Sequence, residues 1–487
     1  TVIDGSGRPR VQADLGIGGG AIKAMGNPTL AGATGQKAIA ASGKFVTPGF
    51  IDITSHADTS GSLFLNPDSD YLLTQGVTTI LVGNCGSSLA PLVSPEAAAS
   101  LRKWSSGADI NINWLTVGEY LGELARHHLG VNVATLMGHA TLRRGILKGE
   151  ARTLAVEETQ QFVSLLLRGM QEGAFGLSAG LIYSHEAAAG PEELAAFTKA
   201  LAHGGGVLKV HLRNEGPNLV PAMNEIVQAG RESRAHVVVS HFKAIGRKSW
   251  PLFGKALDMM ERANASGAPM HFDISPYQRT GSFLYLLLPA WAREGGFPVM
   301  LKRIADPANR SALIEELKRQ TLHYERYVIA NSGTPNANGR TIAEAASYAA
   351  TPPEDTVLDL LSASEGRATI FGKTLSFRNI MAGVAHPLAV IASDGSGVSP
   401  EVSRSGALVH PRSTGCFTHF LHKFVKEKEA LSWEEGIKKI TSMPAELIGF
   451  KGRGLIAPKF AADVVVFDPE QIRDRSTYQN PYVHSAG

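Results

Sequence analysis

Five side chains that bind metals or transfer protons stand where short apolar runs of the sequence end. They are His56 after FIDI, Cys85 after TTILVGN, His211 at the end of VLKVH, His241 after HVVVS and Asp394 after LAVIAS. Thiolate, imidazole and carboxylate groups are the ligands that Zn²⁺ prefers. Taken singly, each residue type is more often structural, as an inert buried cysteine, a hydrogen-bonded histidine or a turn aspartate. Together they predict a zinc site, if the fold brings these run ends to a common centre.

The elements that must position these residues are eight short apolar segments, most of them followed by enough chain for a helix. The segments read GFIDIT, VTTILVGN, VNVATLMG, GAFGLSA, GVLKVH, HVVVSH, MHFDIS and LAVIASD. They are apolar throughout, as expected of parallel strands that are buried on both faces. Eight such steps predict an α/β fold, a (β/α)8 TIM-like barrel, in which catalytic groups sit at the C-terminal ends of the strands.

The two ends of the chain differ in pattern from the middle. Residues 1–47 and 446–487 contain short strand patterns between Gly-rich turns, which predicts one small β-sandwich domain built from both chain ends. The barrel then occupies residues 48–445. The gap between the seventh and eighth strands is too long for one loop and helix, so we predict an insertion at about 285–345 over the barrel mouth.

Composition narrows the classes of partner. The chain has 487 residues and a net charge of only +3, with no long basic block, so we expect neither nucleic acid nor membrane as a partner. The opening residues TVIDGSGRPR lack the pattern of a secretory signal, and no apolar run is long enough for a membrane helix. The two cysteines, Cys85 and Cys416, make no disulfide framework and favour a cytoplasmic location. The sequence predicts no particular oligomeric state.

Several motifs carry a resemblance to a known family. VTPGFID, GNCGSSLAP, HLRNEG, SHFKAIG, SDG and the tail GRGLIAPKFAADVVVFDP resemble the amidohydrolase superfamily, and within it the N-acyl-D-amino-acid deacylase (D-aminoacylase) family. GNCG and H-x-RNEG are the motifs that point to the narrower family. The resemblance covers essentially the whole chain. It implies a zinc hydrolase of linear amide bonds that removes the N-acyl group from N-acyl-D-amino acids, a small-molecule substrate.

The resemblance also implies roles for the residues at the strand ends. The tightly bound zinc would be held by Cys85, His211 and His241, and Asp394 would act as general base. The fourth strand carries no counterpart of the carboxylated lysine of binuclear amidohydrolases, which the family replaces by the cysteine. Further polar residues lie near strand ends. His139 is predicted either to line the pocket or to form a structural hydrogen bond, and His185, Glu215 and Asp273 are predicted to support the ligands.

The first strand departs from the family pattern. Relatives carry His-x-His where this chain has Thr54-Ser55-His56. A threonine hydroxyl is a poor zinc ligand beside imidazole, so a second metal position would keep only His56 and a share of Cys85. We therefore predict one tightly bound Zn²⁺, with the second site weak or absent.

Recognition of the substrate follows from the resemblance alone. A free α-carboxylate requires a fixed cation or a set of hydrogen-bond donors, and arginine supplies both. The segment after the SDG motif is longer than in relatives, so Arg404 competes with Arg412 for this role. The residues implied to bind the carboxylate are Lys243, Tyr277, Ser282 and Arg412.

Two other functions remain open from the sequence. The same scaffold and metal serve other amidohydrolase reactions, such as cyclic-amide (dihydroorotase-like) or dipeptide hydrolysis. The missing lysine of the fourth strand argues against the cyclic-amide class. A non-catalytic barrel that binds a metal or a small molecule is the third alternative, and Thr54 is the residue that keeps it open.

Overall fold

Eight parallel strands form the centre of a computed structural model that describes residues 1–26, 35–99, 111–320 and 322–487. The strands are β1 (Phe50–Asp52), β2 (Val77–Val82), β3 (Asn132–Thr135, continued by Met137–Gly138), β4 (Gly176–Gly180), β5 (Val207–His211), β6 (His236–Val239), β7 (Met270–Ile274) and β8 (Ala389–Ile391).

The strands pair in the order in which they occur along the chain. β1, β2 and the first part of β3 form one sheet, and the second part of β3 pairs with β4, from which the order continues to β8. Beyond β8, Gly395–Ser396 pairs in parallel with Ser55–His56, which directly follow β1. This last pairing closes the ring at the C-terminal ends of the strands. The predicted α/β barrel is confirmed.

Helices pack around the barrel through one apolar face each. The helix Val156–Gln171, for example, buries Phe162 and Leu166 in the core. Thr116 and Glu119 form a capping box at the start of the helix Val117–Arg126. The helices outside the small antiparallel unit inserted between β7 and β8 are Ser62–Leu65, Asp70–Leu73, Pro95–Ala99, Val117–Arg126, His139–Leu147, Val156–Gln171, Ser184–Ala187, Pro191–Gly204, Leu219–Ser233, Leu252–Ala265, Phe377–Ala385, Pro400–Arg404, Arg412–His419, the π-helical Phe420–Glu427, Trp433–Ile440 and Ser442–Ile448.

The connection from β7 to β8 is a small unit with its own core. Three antiparallel strands, Thr280–Phe283, Thr369–Gly372 and Tyr327–Asn331, pair in that order. Its apolar cluster includes Cys85 and Tyr183 of the barrel, so the unit packs onto the barrel mouth. The unit begins before and ends after the predicted insertion. Its helical segments are Leu284–Leu287, Ala290–Arg293, Gly296–Ala305, Pro307–Arg319, Tyr324–Arg326, Pro335–Ala337, Ile342–Ala349 and Pro353–Ala363.

The two chain ends meet beside the barrel. Asp14–Gly18 and Ala21–Gly26 form an antiparallel pair, and Phe45–Pro48 pairs antiparallel with Val464–Phe467 near the C-terminus. Side chains from both ends share a small apolar cluster of Val2, Ile22, Val46 and Ile456. The boundaries given above for the domains stay predictions. Among the described helices, none has the length and apolar character that crossing a membrane requires.

Candidate metal centre and substrate cleft

Three potential zinc ligands converge at the C-terminal ends of β2, β5 and β6. The ligand atoms of Cys85, His211 and His241 lie within 4.8 Å of one another, and all three residues are buried. Cys85 Sγ is 3.4 Å from His241 Nε2. A second group, His56, Cys85 and Asp394, satisfies the same distance and shares the cysteine. The structure thus brings together all five residues that stand at the ends of apolar runs.

Three of these five residues have a left-handed backbone conformation. The φ angles are 51° at Cys85, 39° at His241 and 51° at Asp394. For a residue with a side chain this conformation costs about 1 kcal/mol or more, and it persists only where the surrounding structure enforces it. Each strand therefore turns sharply where its functional side chain begins, at the mouth of the barrel.

The two glycines of the GNCG motif are required by this turn. Gly83 and Gly86 have φ angles of 75° and 81°. A Cβ atom on Gly83 would lie 2.2 Å from the carbonyl oxygen of Leu136, and one on Gly86 would lie 2.1 Å from the carboxylate of Glu186. The loop that presents Cys85 can therefore approach its neighbours only with glycine at both positions.

A serine on β4 holds the same loop. The Ser178 hydroxyl donates to the carbonyl oxygen of Gly83 and accepts a hydrogen bond of 3.0 Å from the backbone N–H of Gly86. Both bonds are buried, so they fix the loop on either side of the cysteine. β4 thus contributes a hydroxyl that positions the loop of the cysteine.

The surroundings of the cysteine favour its thiolate form. Burial raises the pKa of the Cys85 thiol, but the adjacent imidazoles of His241, His211 and His56 outweigh burial and hold it well below its ordinary value. The pKa values of two histidines are shifted in the opposite direction. Although burial lowers the pKa of an imidazole, Asp394 and the thiolate raise the pKa of His56 to about 9 and that of His241 to about 10.

The donor set fits zinc. The buried Nδ1 of His211 has no hydrogen-bond partner among the described residues, as expected of a nitrogen that is kept for a metal. Glu215 lies behind both imidazoles, with one oxygen 3.5 Å from His211 Nε2 and the other 3.2 Å from His241 Nδ1. A carboxylate in this place orients metal-binding histidines and increases their basicity. Cys85, His211 and His241 would therefore hold Zn²⁺ through one sulfur and two nitrogen atoms.

Asp394 connects this centre to the neighbouring cleft. One carboxylate oxygen is 3.2 Å from His56 Nε2, and the other forms an ion pair with Arg412, 2.8 Å from its Nη1. Burial raises the pKa of the Asp394 carboxyl, but Arg412, His241 and His56 outweigh it and keep the group ionised. The aspartate is a carboxylate, able to accept a proton, next to the metal ligands.

The cleft beside the centre carries an excess of positive charge. Its walls include the side chains of Lys243, Arg279 and Arg412, against the single carboxylate of Asp394. Tyr277 also lines it, stacked on His419 at 4.4 Å between ring centroids, and its buried hydroxyl has no hydrogen-bond partner in the described part of the chain. Such a cleft favours an anionic ligand that offers acceptor oxygens.

The remaining predicted substrate residues are placed differently. Ser282 lies on the strand Thr280–Phe283, of which Thr280 and Gly281 line the cleft. Arg404 is exposed on the helix Pro400–Arg404, where it lies 3.6 Å from Glu401. Of the two competing arginines, Arg412 is the one beside Asp394.

The ammonium group of Lys243 is paired with a carboxylate. Its ammonium group donates a 2.7 Å hydrogen bond to Glu215 and lies 2.7 Å from His241 Nδ1. It therefore stands between the carboxylate that supports the metal ligands and the cleft. His139, which the sequence left between a pocket role and a structural one, is fully buried and contacts Glu186 and Glu193 at 3.2 Å and 2.8 Å.

Two charged residues near the site were not singled out from the sequence. Arg279 lines the cleft and lies over the ring of Tyr478 at 4.9 Å. Lys209 is fully buried within β5. A signal for Lys209 was present, because a lysine in the middle of GVLKVH, two residues before His211, interrupts an otherwise apolar strand. Arg279 follows the SPYQ segment without any pattern that would mark it.

Comparison with known proteins places this geometry in context. The Amidohydrolase family model matches residues 37–487. An N-acyl-D-aspartate deacylase of Alcaligenes xylosoxydans xylosoxydans is 32% identical, over 100% of this chain and 88% of that protein. The structure also resembles that of an N-acyl-D-glutamate deacylase from Bordetella bronchiseptica, which is complexed with zinc and a phosphonate inhibitor that mimics the tetrahedral intermediate. The two structures superpose with a TM-score of 0.84 at 29% sequence identity, and the match covers 100% of this chain and 92% of that one. A D-aminoacylase structure superposes with a TM-score of 0.83 at 29% identity and the same coverage. That enzyme is described as having a binuclear metal centre with one-metal activation and second-metal attenuation.

The pKa values of the centre predict that zinc binding depends on pH. His241, with a pKa near 10 in the metal-free site, must lose its proton to bind a metal, whereas the Cys85 thiol has already lost its own. Zinc affinity should therefore rise with pH between about 6 and 9, by up to about tenfold per unit, with at least one proton released per metal. Calorimetry in buffers of different ionisation enthalpy measures both quantities.

A matched pair of cysteine variants controls this experiment. Cys85→Ala should weaken zinc binding by about a hundredfold or more, because a thiolate ligand is lost. Cys416→Ala removes a thiol that is equally buried but whose pKa is raised, and it should leave zinc affinity unchanged.

In the pH experiment, a wild-type zinc affinity that does not vary between about pH 6 and 9 would contradict the assignment of His241 as a ligand.

Proposed function

Because the chain belongs to the amidohydrolase family, we propose that it is a zinc-dependent hydrolase that removes the N-acyl group from N-acyl-D-amino acids. The observation that carries the proposal is the group of Cys85, His211 and His241 at the strand ends, with the carboxylate of Asp394 beside it. The motifs that suggested this family from the sequence are supported by relatives that span the whole chain.

Each residue of the centre has a distinct part in amide hydrolysis. Zinc, when held by Cys85, His211 and His241, supplies a Lewis acid that activates water and polarises the scissile carbonyl. Asp394 accepts the proton of the attacking water and later returns it to the nitrogen of the leaving amine. The carboxylate starts ionised, because Arg412, His241 and His56 outweigh burial and hold its pKa below the ordinary value, and these same charges weaken it as a base. His56, 3.2 Å from Asp394, orients it.

One tightly bound zinc is sufficient for this chemistry. Two nitrogen ligands and the thiolate are available to the first metal, whereas the second position has His56, a share of Cys85 and Asp394. Thr54 stands where a further histidine would be needed. The structurally similar D-aminoacylase is described as activated by one metal and attenuated by a second. We infer that the second position here is weak or empty.

Arg412 is suited to bind the α-carboxylate of the substrate. Its Nη1 is engaged by Asp394, whereas its buried Nε has no partner within the described ranges. The guanidinium group therefore keeps a donor for a second carboxylate without releasing the first. Tyr277 and Lys243, on the walls of the same cleft, supply a hydroxyl and an ammonium group, and we place Ser282 at its edge.

A panel of substrates tests the proposed reaction. Purified protein with its metal content measured should hydrolyse N-acetyl-D-amino acids and leave the L-enantiomers and a cyclic imide almost untouched. The D-aspartate, D-glutamate and neutral D-amino-acid derivatives belong in the panel, since known relatives differ in these side chains. Turnover of the cyclic imide alone would instead assign a cyclic-amide hydrolase, and a zinc-loaded protein without turnover of any amide would favour a binding protein.

Replacement of Asp394 separates metal binding from catalysis. Asp394→Asn keeps the shape of the side chain but removes the base, so we expect kcat to fall by about 10²–10⁴-fold. Zinc content, measured by mass spectrometry of the dialysed protein, should stay at the wild-type level because the three ligands of the zinc are unchanged. Turnover within a few-fold of the wild type would reject the base assignment.

Two arginine variants test carboxylate recognition. Arg412→Lys keeps the charge but loses the paired donors, and we expect KM for an N-acyl-D-amino acid to rise by about tenfold or more. Arg404→Lys, on the exposed helix, should behave as wild type. The second measurement uses an N-acyl amine, which lacks the carboxylate. If Arg412 recognises the carboxylate, Arg412→Lys and the wild type should hydrolyse this amine at similar rates. An equal loss of activity on both substrates would instead indicate a structural role for Arg412.

A further inference from the structure

Lysine 209 is a buried cation in the interior of the barrel. Its side chain is fully buried in β5, and because strand side chains alternate, it faces the same way as His211 two residues later. A buried ammonium group is tolerated only when acceptors compensate it. Lys209 lies two residues before His211 in the same strand, so the position of a positive charge here requires an explanation.

All three donors of the ammonium group are satisfied. It donates to the carbonyl oxygen of Ile53 at 2.8 Å, to Thr54 Oγ1 at 2.5 Å and to Asp273 Oδ2 at 2.7 Å. The Thr54 hydroxyl in turn donates to the same Asp273 oxygen at 2.9 Å. Two of the three acceptors thus belong to the residues that follow β1, on the side where a second metal would be bound.

The hydroxyl of Thr54 matches the hydrogen bonds that Lys209 and Asp273 require. The hydroxyl accepts from the ammonium and donates to the carboxylate, a double role that a metal-binding imidazole could not fill. An imidazole at position 54 would remove an acceptor from Lys209 and would bring a divalent cation towards an ammonium group. The absence of a histidine in the first strand and the presence of a lysine in the fifth are therefore parts of one arrangement.

The network also reaches the first metal position. The other oxygen of Asp273 accepts a 2.7 Å hydrogen bond from the backbone N–H of His241, the residue with a left-handed φ of 39°. Lys209 therefore fixes the carboxylate that holds the turn of a zinc ligand. It acts as a positioning residue on one side and as a fixed charge on the other.

We propose that Lys209, hydrogen-bonded to Thr54 and Asp273, is a built-in cation that replaces the second metal ion and restricts the centre to one zinc. This inference rests on the proposed zinc centre and deepens it. The ammonium group would disfavour a second zinc at His56, Cys85 and Asp394, whatever reaction the enzyme catalyses.

Metal stoichiometry tests the inference without any assay of activity. The wild type, Thr54→His, Lys209→Met and the double variant are dialysed against a series of free zinc concentrations, and bound zinc is measured by mass spectrometry. We expect one zinc in the wild type, with no second equivalent below about 100 µM free zinc. The double variant should bind a second zinc about tenfold or more tightly than Thr54→His alone, because the opposing charge is gone.

Lys439→Met is the matched control. Lys439 is also buried and donates to backbone carbonyl oxygens, of His386 and Ala389, away from the centre. Its removal should leave the number of bound zinc ions at one. If Lys209→Met does not fold, because Asp273 is left as an unpaired buried carboxylate, the variant that combines Thr54→His, Lys209→Met and Asp273→Asn takes its place, since asparagine can still accept from His241.

The outcomes separate this inference from the proposed function. A second zinc in the wild type at low concentration, an equally tight second zinc in Thr54→His alone, or a single zinc in the double and triple variants would each overturn the role of Lys209. All three results leave the first zinc in place. A wild-type protein that binds no zinc would instead overturn the proposed metal centre itself.

Discussion

The charge of one buried thiolate governs the arrangement of the active centre. Cys85 is buried, yet the pKa of its thiol is held well below the ordinary value, and a buried anion persists only beside positive charges or a metal. The imidazoles of His56, His211 and His241 surround it, and Glu215 supports two of them from behind. Cys85 and the three histidines come from four different strand ends, so the thiolate can be stabilised only when the barrel is closed.

The strained backbone at this centre follows from the same requirement. Strands that end on one circle must turn inward at once if short side chains are to meet, and Cys85, His241 and Asp394 do so in the left-handed region. The cost is offset by bonds that hold each turn. Ser178 bridges the loop around the cysteine, and Asp273 holds the N–H of His241. These supports are as specific to the centre as the metal ligands themselves.

The sequence permitted the prediction of the barrel and of the residues at its mouth for a clear physical reason. Apolar runs mark buried parallel strands, and the C-terminal ends of such strands share one face, so the positions of Cys85, His211, His241 and Asp394 followed from one-dimensional pattern alone. The partners of these residues did not follow. That Thr54 bonds to Lys209, more than 150 positions away, depends on the closure of the ring, which brings the residues after β1 across the interior to β5.

Chemistry and recognition are supplied by different parts of the chain. The groups proposed to act on the amide bond come from strand ends, whose spacing the barrel dictates. The walls of the cleft come from the segment after β7, with Tyr277 and Arg279, and from Arg412 at the start of a later helix. Loops and insertions of this kind change readily while the barrel stays the same. The preference of the enzyme for a substrate side chain therefore depends on this segment and its insertion, and the hydrolytic centre can serve different side chains without alteration.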